Sequence, residues 1–520
     1  MHSSKLLPIA LSCAFVAQAA HALADERSAT RPAQRPQPPT PTAPRQNPAE
    51  TQSPAVALPV IDTAPAEIPL MGADFQMIRA PSSPEAFGGP RTGKEPTLAD
   101  HVADYSLKAR LDPVAHTLEG QETLRWRNRS AQPVRTLYFH LYLNGFTNPD
   151  STWMREKAKY GSFRSGVETK KGEWGYIDVS SVMQGDKAAR MNFVHPDGGP
   201  STDRSVLRVE LPEAVAPGAT VELKIAFHDQ LPRVIARTGW FGKYHLVGQW
   251  FPKIGVLELP GERGATTARW NCHEFHLNSE FYADWGSYDL EVTAPKGYTV
   301  EANGLPVGAP KDTPEGTVHT FRADDVHDAV FTAWDGYAAP IEGSYDGPGS
   351  PHVQVRVLFP EEYRASGEVA LASTIESLKY FSEQLGPYPY KRVVAVLPPY
   401  NAGESGGMEY ETFFTTDASP YPAVVRYVTI HEFGHGYFMG LLASNEFEEP
   451  FLDEGLNELY DTRMIRAGPT RERSKLEKLL DVHLPVFDPF DLERVPGAAR
   501  TQADPLAESS WHRYSEGAYN

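Results

Sequence analysis

Two hydrophobic periods divide this chain and predict a multidomain α+β protein. From Asp104 to Leu358, apolar residues recur at every second position in short runs, the signature of half-buried strands. From about Pro360 they recur at steps of three and four, the signature of amphipathic helices. Ahead of both lies a stretch with no period at all. The predicted order is therefore a leader over 1–24, a linker over 25–97, a β-rich domain over 98–355 and an α/β-then-α domain over 356–520. At 520 residues the chain is too long for a single core, which agrees with this division.

The leader reads as a secretory signal. Lys5 supplies the charged start, Leu6 to Ala20 the apolar run, and Ala22-Leu23-Ala24 a small-x-small cleavage site before Asp25. The apolar run is short for a membrane span, and no other stretch is long and apolar enough to be one. The expectation is an exported protein, periplasmic or secreted, with no membrane span once the signal is removed. Cys13 lies in that leader, so Cys272 is the mature chain's one cysteine and an internal disulfide is excluded. Residues 25–97 are rich in Pro, Ala, Thr and Gln and cannot build a core. They are expected to act as an extended tether.

The strands follow. Tyr105, Leu107, Ala109 and Leu111 alternate with polar residues, as do Leu137, Phe139, Leu141 and Leu143. Similar runs occupy Leu207 to Leu211, Val221 to Phe227, Tyr288 to Val292 and Val353 to Leu358, with Gly and Pro between them. Two aromatic stretches, GQWFPKIGVLE and NSEFYADWGSYDLEV, are read chiefly as core, because Trp and Phe are mostly buried for packing. Then Leu371, Ile375, Leu378, Phe381 and Leu385 mark a helix closed by Gly386-Pro387, and Arg392 to Leu397 a short strand. Ser474 to His483 has a helical pattern again.

The formal net charge is −18 and Lys and Arg form no long run, which argues against nucleic acid or an anionic membrane as the main partner. The chemistry sits in HEFGH. His431 and His435, four residues apart, project from one face of a helix and can share one metal ion. Glu432 between them is placed to take a proton from water. Eighteen residues after His435 comes Glu454, in a second helix-like run. A His, His, Glu set leaves one tetrahedral position open, the pattern of a catalytic zinc site, with one Zn²⁺ per chain.

Just upstream is Gly406-Gly407-Met408-Glu409-Tyr410. This GGMEY, then HEFGH, then the eighteen-residue spacing to Glu454, resembles the aminopeptidase N family of zinc peptidases, which includes leukotriene hydrolase and whose motifs are GAMEN and HExxH-x18-E. The resemblance runs from about Asp104 to the last residue. It implies a saddle-like β domain beside a thermolysin-like catalytic domain. It also implies that Gly406, Gly407 and Met408 lie along the substrate backbone, with Glu409 on the substrate's amino group. Tyr514-Ser515-Glu516-Gly517 is similar to the family's Tyr-x-x-Gly segment, which would make Tyr514 the oxyanion donor.

The chain departs from the pattern at Tyr410, where Asn is usual, and at Glu516, where Lys is frequent. Gln249 is the nearest candidate for a further amine contact, but its surroundings do not match and it is not assigned. Family members continue past this point with a helical domain, so the sequence is expected to be truncated at its C-terminal end. The leading expectation is an aminopeptidase acting on peptides with a free N-terminus. The alternatives are a zinc endopeptidase with the same ligands, and a catalytically silent peptide-binding protein.

Overall fold

In the computed structural model the described residues are 67–71, 97–160, 170, 172–277, 279–417, 419 and 421–467. The leader, most of the linker, the Ser474 to His483 segment and Tyr514 lie outside them. The architecture is mixed, with many sheets and few helices.

The first half is built on a nine-stranded sheet. Its centre is Ala103–Asp112, which pairs parallel with Gly286–Ala294 and antiparallel with Thr117–Arg127. Alternation dictates the packing: Tyr105, Leu107, Ala109 and Leu111 are buried while Lys108, Arg110 and Asp112 are exposed. Two four-stranded sheets and a two-stranded one complete this half. Their shared core holds Trp126, Phe139, Trp250, Phe251 and Trp270. The aromatic stretch from Gly248 is therefore core at Trp250 and Phe251, as its composition suggests. Val134–His140 ends as a strand before Leu141 and Leu143, where the chain turns into a 3₁₀ segment, Tyr142–Phe146.

The second half centres on a five-stranded sheet in the order Ile341–Tyr345, Val353–Leu358, Arg392–Val396, Phe413–Thr415, Met408–Tyr410. The three inner strands are parallel to one another. Val353–Leu358 thus pairs with Arg392–Val396 and belongs to this sheet, although its sequence reads like the strands before it. Met408–Tyr410, from GGMEY, ends the sheet and pairs antiparallel with Phe413–Thr415. Helices Arg364–Leu385 and Pro422–Phe438 both pack on this sheet and on each other, burying Leu378 and Phe381 with Phe433 and Tyr437. No helix among the described residues is long and apolar enough to cross a membrane.

A third core cluster joins the halves. Val234, Tyr244 and Leu246 from the β-rich side pack with Met408, Tyr410 and Phe413. The edge strand is thereby wedged against the first half, facing the helix that carries HEFGH.

Candidate metal centre

Helix Pro422–Phe438 starts with proline in its first turn, where the missing N–H is no loss. Val425, Ile430 and Phe433 bury its apolar side. One turn apart, His431 and His435 bring their Nε2 atoms to 3.1 Å of each other, with the rings nearly perpendicular at 87°. Glu454 opens the next helix, Glu454–Ala467, where a carboxylate also suits the helix dipole. Its Oε2 lies 3.2 Å from His431 Nε2 and 3.6 Å from His435 Nε2.

The far side of each imidazole is fixed as well. His431 Nδ1 faces Asp461 Oδ2 at 2.8 Å, and His435 Nδ1 is bonded to Asp453 Oδ1. Asn457 donates to the backbone oxygen of His431 at 2.8 Å. Each ring therefore turns its Nε2 inward. Gly434 lets the two helices meet: a Cβ there would stand 1.9 Å from Asn457 Oδ1.

Do these residues fit zinc? Two nitrogens bound tetrahedrally at zinc–nitrogen lengths are separated by about 3.3 Å, close to the 3.1 Å found. The three side chains offer ligand atoms that all lie within 4.8 Å of one another. Buried Glu432 Oε2 and Glu409 Oε1 have no hydrogen-bond partner among the described residues, as expected where a cation, a water or a ligand belongs. The set fits.

Glu432 sits between the histidines with its carboxyl facing Gly407. A Cβ on that glycine would be 3.5 Å from Glu432 Oε1, and φ at Gly407 is +69°, a left-handed value that favours glycine. Burial pushes Glu432 up to about 8, helped by nearby Glu409 against the pull of the two histidines. A divalent cation among the ligands would act in the opposite direction. Glu409 is 2 % exposed, and its ligand-capable oxygen lies within 4.8 Å of those of His435 and Asp453. Gly407 and Glu409 thus lie beside residues of HEFGH. Tyr514 is outside the described residues.

Tyr410 is accounted for by packing. Its ring joins the cluster between the two halves, and its hydroxyl fills the space that a Cβ on Gly248 would take, 2.0 Å away. Gln249 is tied up: its Oε1 accepts from Lys253 at 2.8 Å and its Nε2 donates to Asp328.

Several polar residues at the centre escape a motif-based reading. Asp453, Asn457 and Asp461 could have been found, since Asn457 and Asp461 follow Glu454 by three and seven positions and share its helix face. Arg237 and Glu280 could not. They form a buried pair, Arg237 Nη1 lying 2.6 Å from both Glu280 oxygens, and the same nitrogen reaches Met408 Sδ at 2.9 Å. Glu280 belongs to the second aromatic stretch, whose composition points to core. Burial raises its carboxyl well above the usual range, opposed by Arg237 and reinforced by Glu409 and Glu454.

Fold and site together bring His431, His435 and Glu454 from two helices into a group that could hold a metal ion, beside an edge strand. No family model and no curated protein matches the chain. Among solved structures it is similar to the M1 zinc metallopeptidase from Deinococcus radiodurans, at 17% identity over 82% of this chain and 81% of that one, with a TM-score of 0.48. It is also similar to a mutant of that enzyme bound to a Tyr-Ser-Ala substrate, at 16% identity over 82% of each chain, with a TM-score of 0.50. At this identity the likeness is one of fold.

Proposed function

We propose that this chain is a zinc-dependent aminopeptidase, exported from the cytoplasm, that removes residues from the free N-terminus of peptides. One observation carries the reading: Glu409 is buried, its Oε1 has no hydrogen-bond partner among the described residues, and a carboxylate oxygen of Glu409 lies within 4.8 Å of a ring nitrogen of His435. In any peptide the terminal nitrogen is only about 2.5 Å from the first carbonyl carbon. An ammonium held by Glu409 therefore brings the first carbonyl, and no later one, to the metal ligands.

His431, His435 and Glu454 would hold the ion. When bound, zinc supplies Lewis acidity that polarises a carbonyl and makes water acidic near neutral pH. The chain's own residues do the rest. Gly406 and Gly407 let the substrate backbone approach the end of the sheet, where it can lie like an added strand. Glu432 takes the proton from the attacking water, holds it in a buried carboxyl and passes it to the leaving amine. Asp453 and Asp461 keep both imidazoles oriented. Tyr514 would donate a hydrogen bond to the oxyanion.

The test is Glu432→Gln with metal content measured alongside turnover. Zinc should stay bound at one per chain, while kcat falls roughly 10²–10⁴-fold, the usual contribution of a general base. A variant that keeps both zinc and full activity would overturn the proposal.

A further inference from the structure

The segment between the two ligand helices is bonded to the β-rich half of the fold. Asn445, Glu446, Phe447 and Glu448 are all buried. Glu448 takes donors from three residues of that half. Arg263 Nη2 donates to its Oε2, while His273 Nε2 at 2.8 Å and Asn271 Nδ2 at 3.2 Å share its Oε1. Arg263 also reaches Glu449 through Nε at 3.0 Å. The Phe447 ring stacks on His273 at 4.5 Å and 12°.

Behind this first row stands a second. Arg263 and Arg269 share Glu258. His273 Nδ1 faces Asp197 at 2.7 Å, and Asp197 also takes the backbone N–H of Glu274 at 2.7 Å. A histidine with a carboxylate on each ring nitrogen donates on both sides as the imidazolium. Burial opposes that charge, but Asp197 and Glu448 outweigh it and lift His273 to about 10. Arg263 takes φ = +42°, a left-handed value that a long side chain seldom adopts. The surroundings hold its backbone where the guanidinium meets Glu448.

The position of this clamp matters. His431 and His435 share one helix, so their mutual geometry needs no outside help. The third ligand comes from a different segment. Only the short turn Pro450–Leu452 separates Glu449 from Asp453 and Glu454. The geometry points to Glu448 as a positioning residue for the metal centre. Through Arg263, Asn271 and His273, the β-rich half sets the place from which Asp453 reaches His435 and Glu454 reaches both histidines. The inference rests on the metal reading above.

The test measures zinc affinity, without turnover, on the full chain. Wild type and Glu448→Gln compete for zinc with a chromogenic chelator, and the thermal midpoint of each zinc-free protein is recorded. Glu448→Gln leaves all three ligands intact, yet its zinc affinity is expected to fall about 10–100-fold, as for other residues that orient ligands. A lower midpoint with unchanged zinc affinity would mean that Glu448 only stabilises the fold, and would overturn the proposal. Should Glu448→Gln not fold, Asn271→Ser removes one neutral donor and keeps the charges. It should weaken zinc binding several-fold, and no change in its affinity is likewise fatal to the idea. Wild type that binds no zinc would sink the metal reading instead, so the two failures are told apart.

Discussion

Glu409→Gln isolates the residue to which the proposed function assigns exopeptidase action. The substitution keeps the shape of the side chain and removes its charge. Two unit charges about 3 Å apart at an effective dielectric constant near 20 attract by roughly 5.5 kcal/mol. The glutamine oxygen still accepts a hydrogen bond, which retains about 1–2 kcal/mol of that. The net loss of about 4 kcal/mol corresponds to a fall of roughly 10²–10³-fold in kcat/KM. It should apply only to substrates that carry an ammonium group. The assay follows one short peptide and its N-acetylated twin by mass spectrometry, with zinc content measured in both proteins. The free peptide should lose single residues from its amino end in wild type and nearly cease to be cut in the variant. Equal losses on both peptides, or none on the free one, would refute the reasoning. Efficient cutting of the acetylated twin by wild type would point to an endopeptidase.

Three further outcomes are expected. Gly434→Ala forces a Cβ to within 1.9 Å of Asn457 Oδ1, so it should push the ligand helices apart, destabilise by about 1–3 kcal/mol and reduce zinc retained on dialysis. Zinc binding should strengthen as pH rises through neutrality. Burial opposes the charge on His435, but Asp453, Glu409 and Glu454 lift it to about 10, and zinc must displace that proton. An apparent Kd independent of pH between about 6 and about 8 would contradict this. Glu122→Gln should stabilise at pH 7. Both oxygens of this buried carboxyl lack a hydrogen-bond partner among the described residues, and burial raises its pKa well above the ordinary value. Below the unfolded-state pKa both states hold the proton and nothing is lost. Above it only the unfolded state ionises, so wild-type stability falls as pH rises. The variant cannot ionise, and its gain of about 1–3 kcal/mol at pH 7 should vanish near pH 4.

Local order in the chain made part of this molecule legible. The alternation of Tyr105, Leu107, Ala109 and Leu111 implies a strand with one buried face, because successive side chains on a strand point to opposite sides. The spacing of His431 and His435 implies neighbouring imidazoles, because a helix turns once in about four residues. Those relations are set by backbone geometry within a few residues, so the sequence carries them by itself. Even Asn457 and Asp461 were within reach, lying on the same helix face as Glu454.

What only the tertiary structure decided depends on residues far apart in the chain. Val353–Leu358 alternates like the strands before it, yet it hydrogen-bonds to Arg392–Val396. Alternation records burial and does not name a partner. Gln249 bonds to Asp328, 79 residues away, and is thereby occupied. Gly248, from the other half, leaves room for the hydroxyl of Tyr410, which stands where the related pattern has Asn. His273 and Arg263 lie 175 and 185 residues from Glu448, and no periodicity joins them. Buried charges must find partners wherever the fold offers them, and that choice is made by packing in three dimensions. Helix periodicity was enough to pair the two histidines. The place of Glu454 beside them is a matter of tertiary packing, and the segment that leads to it is bonded through Glu448 to Arg263, Asn271 and His273 of the β-rich half.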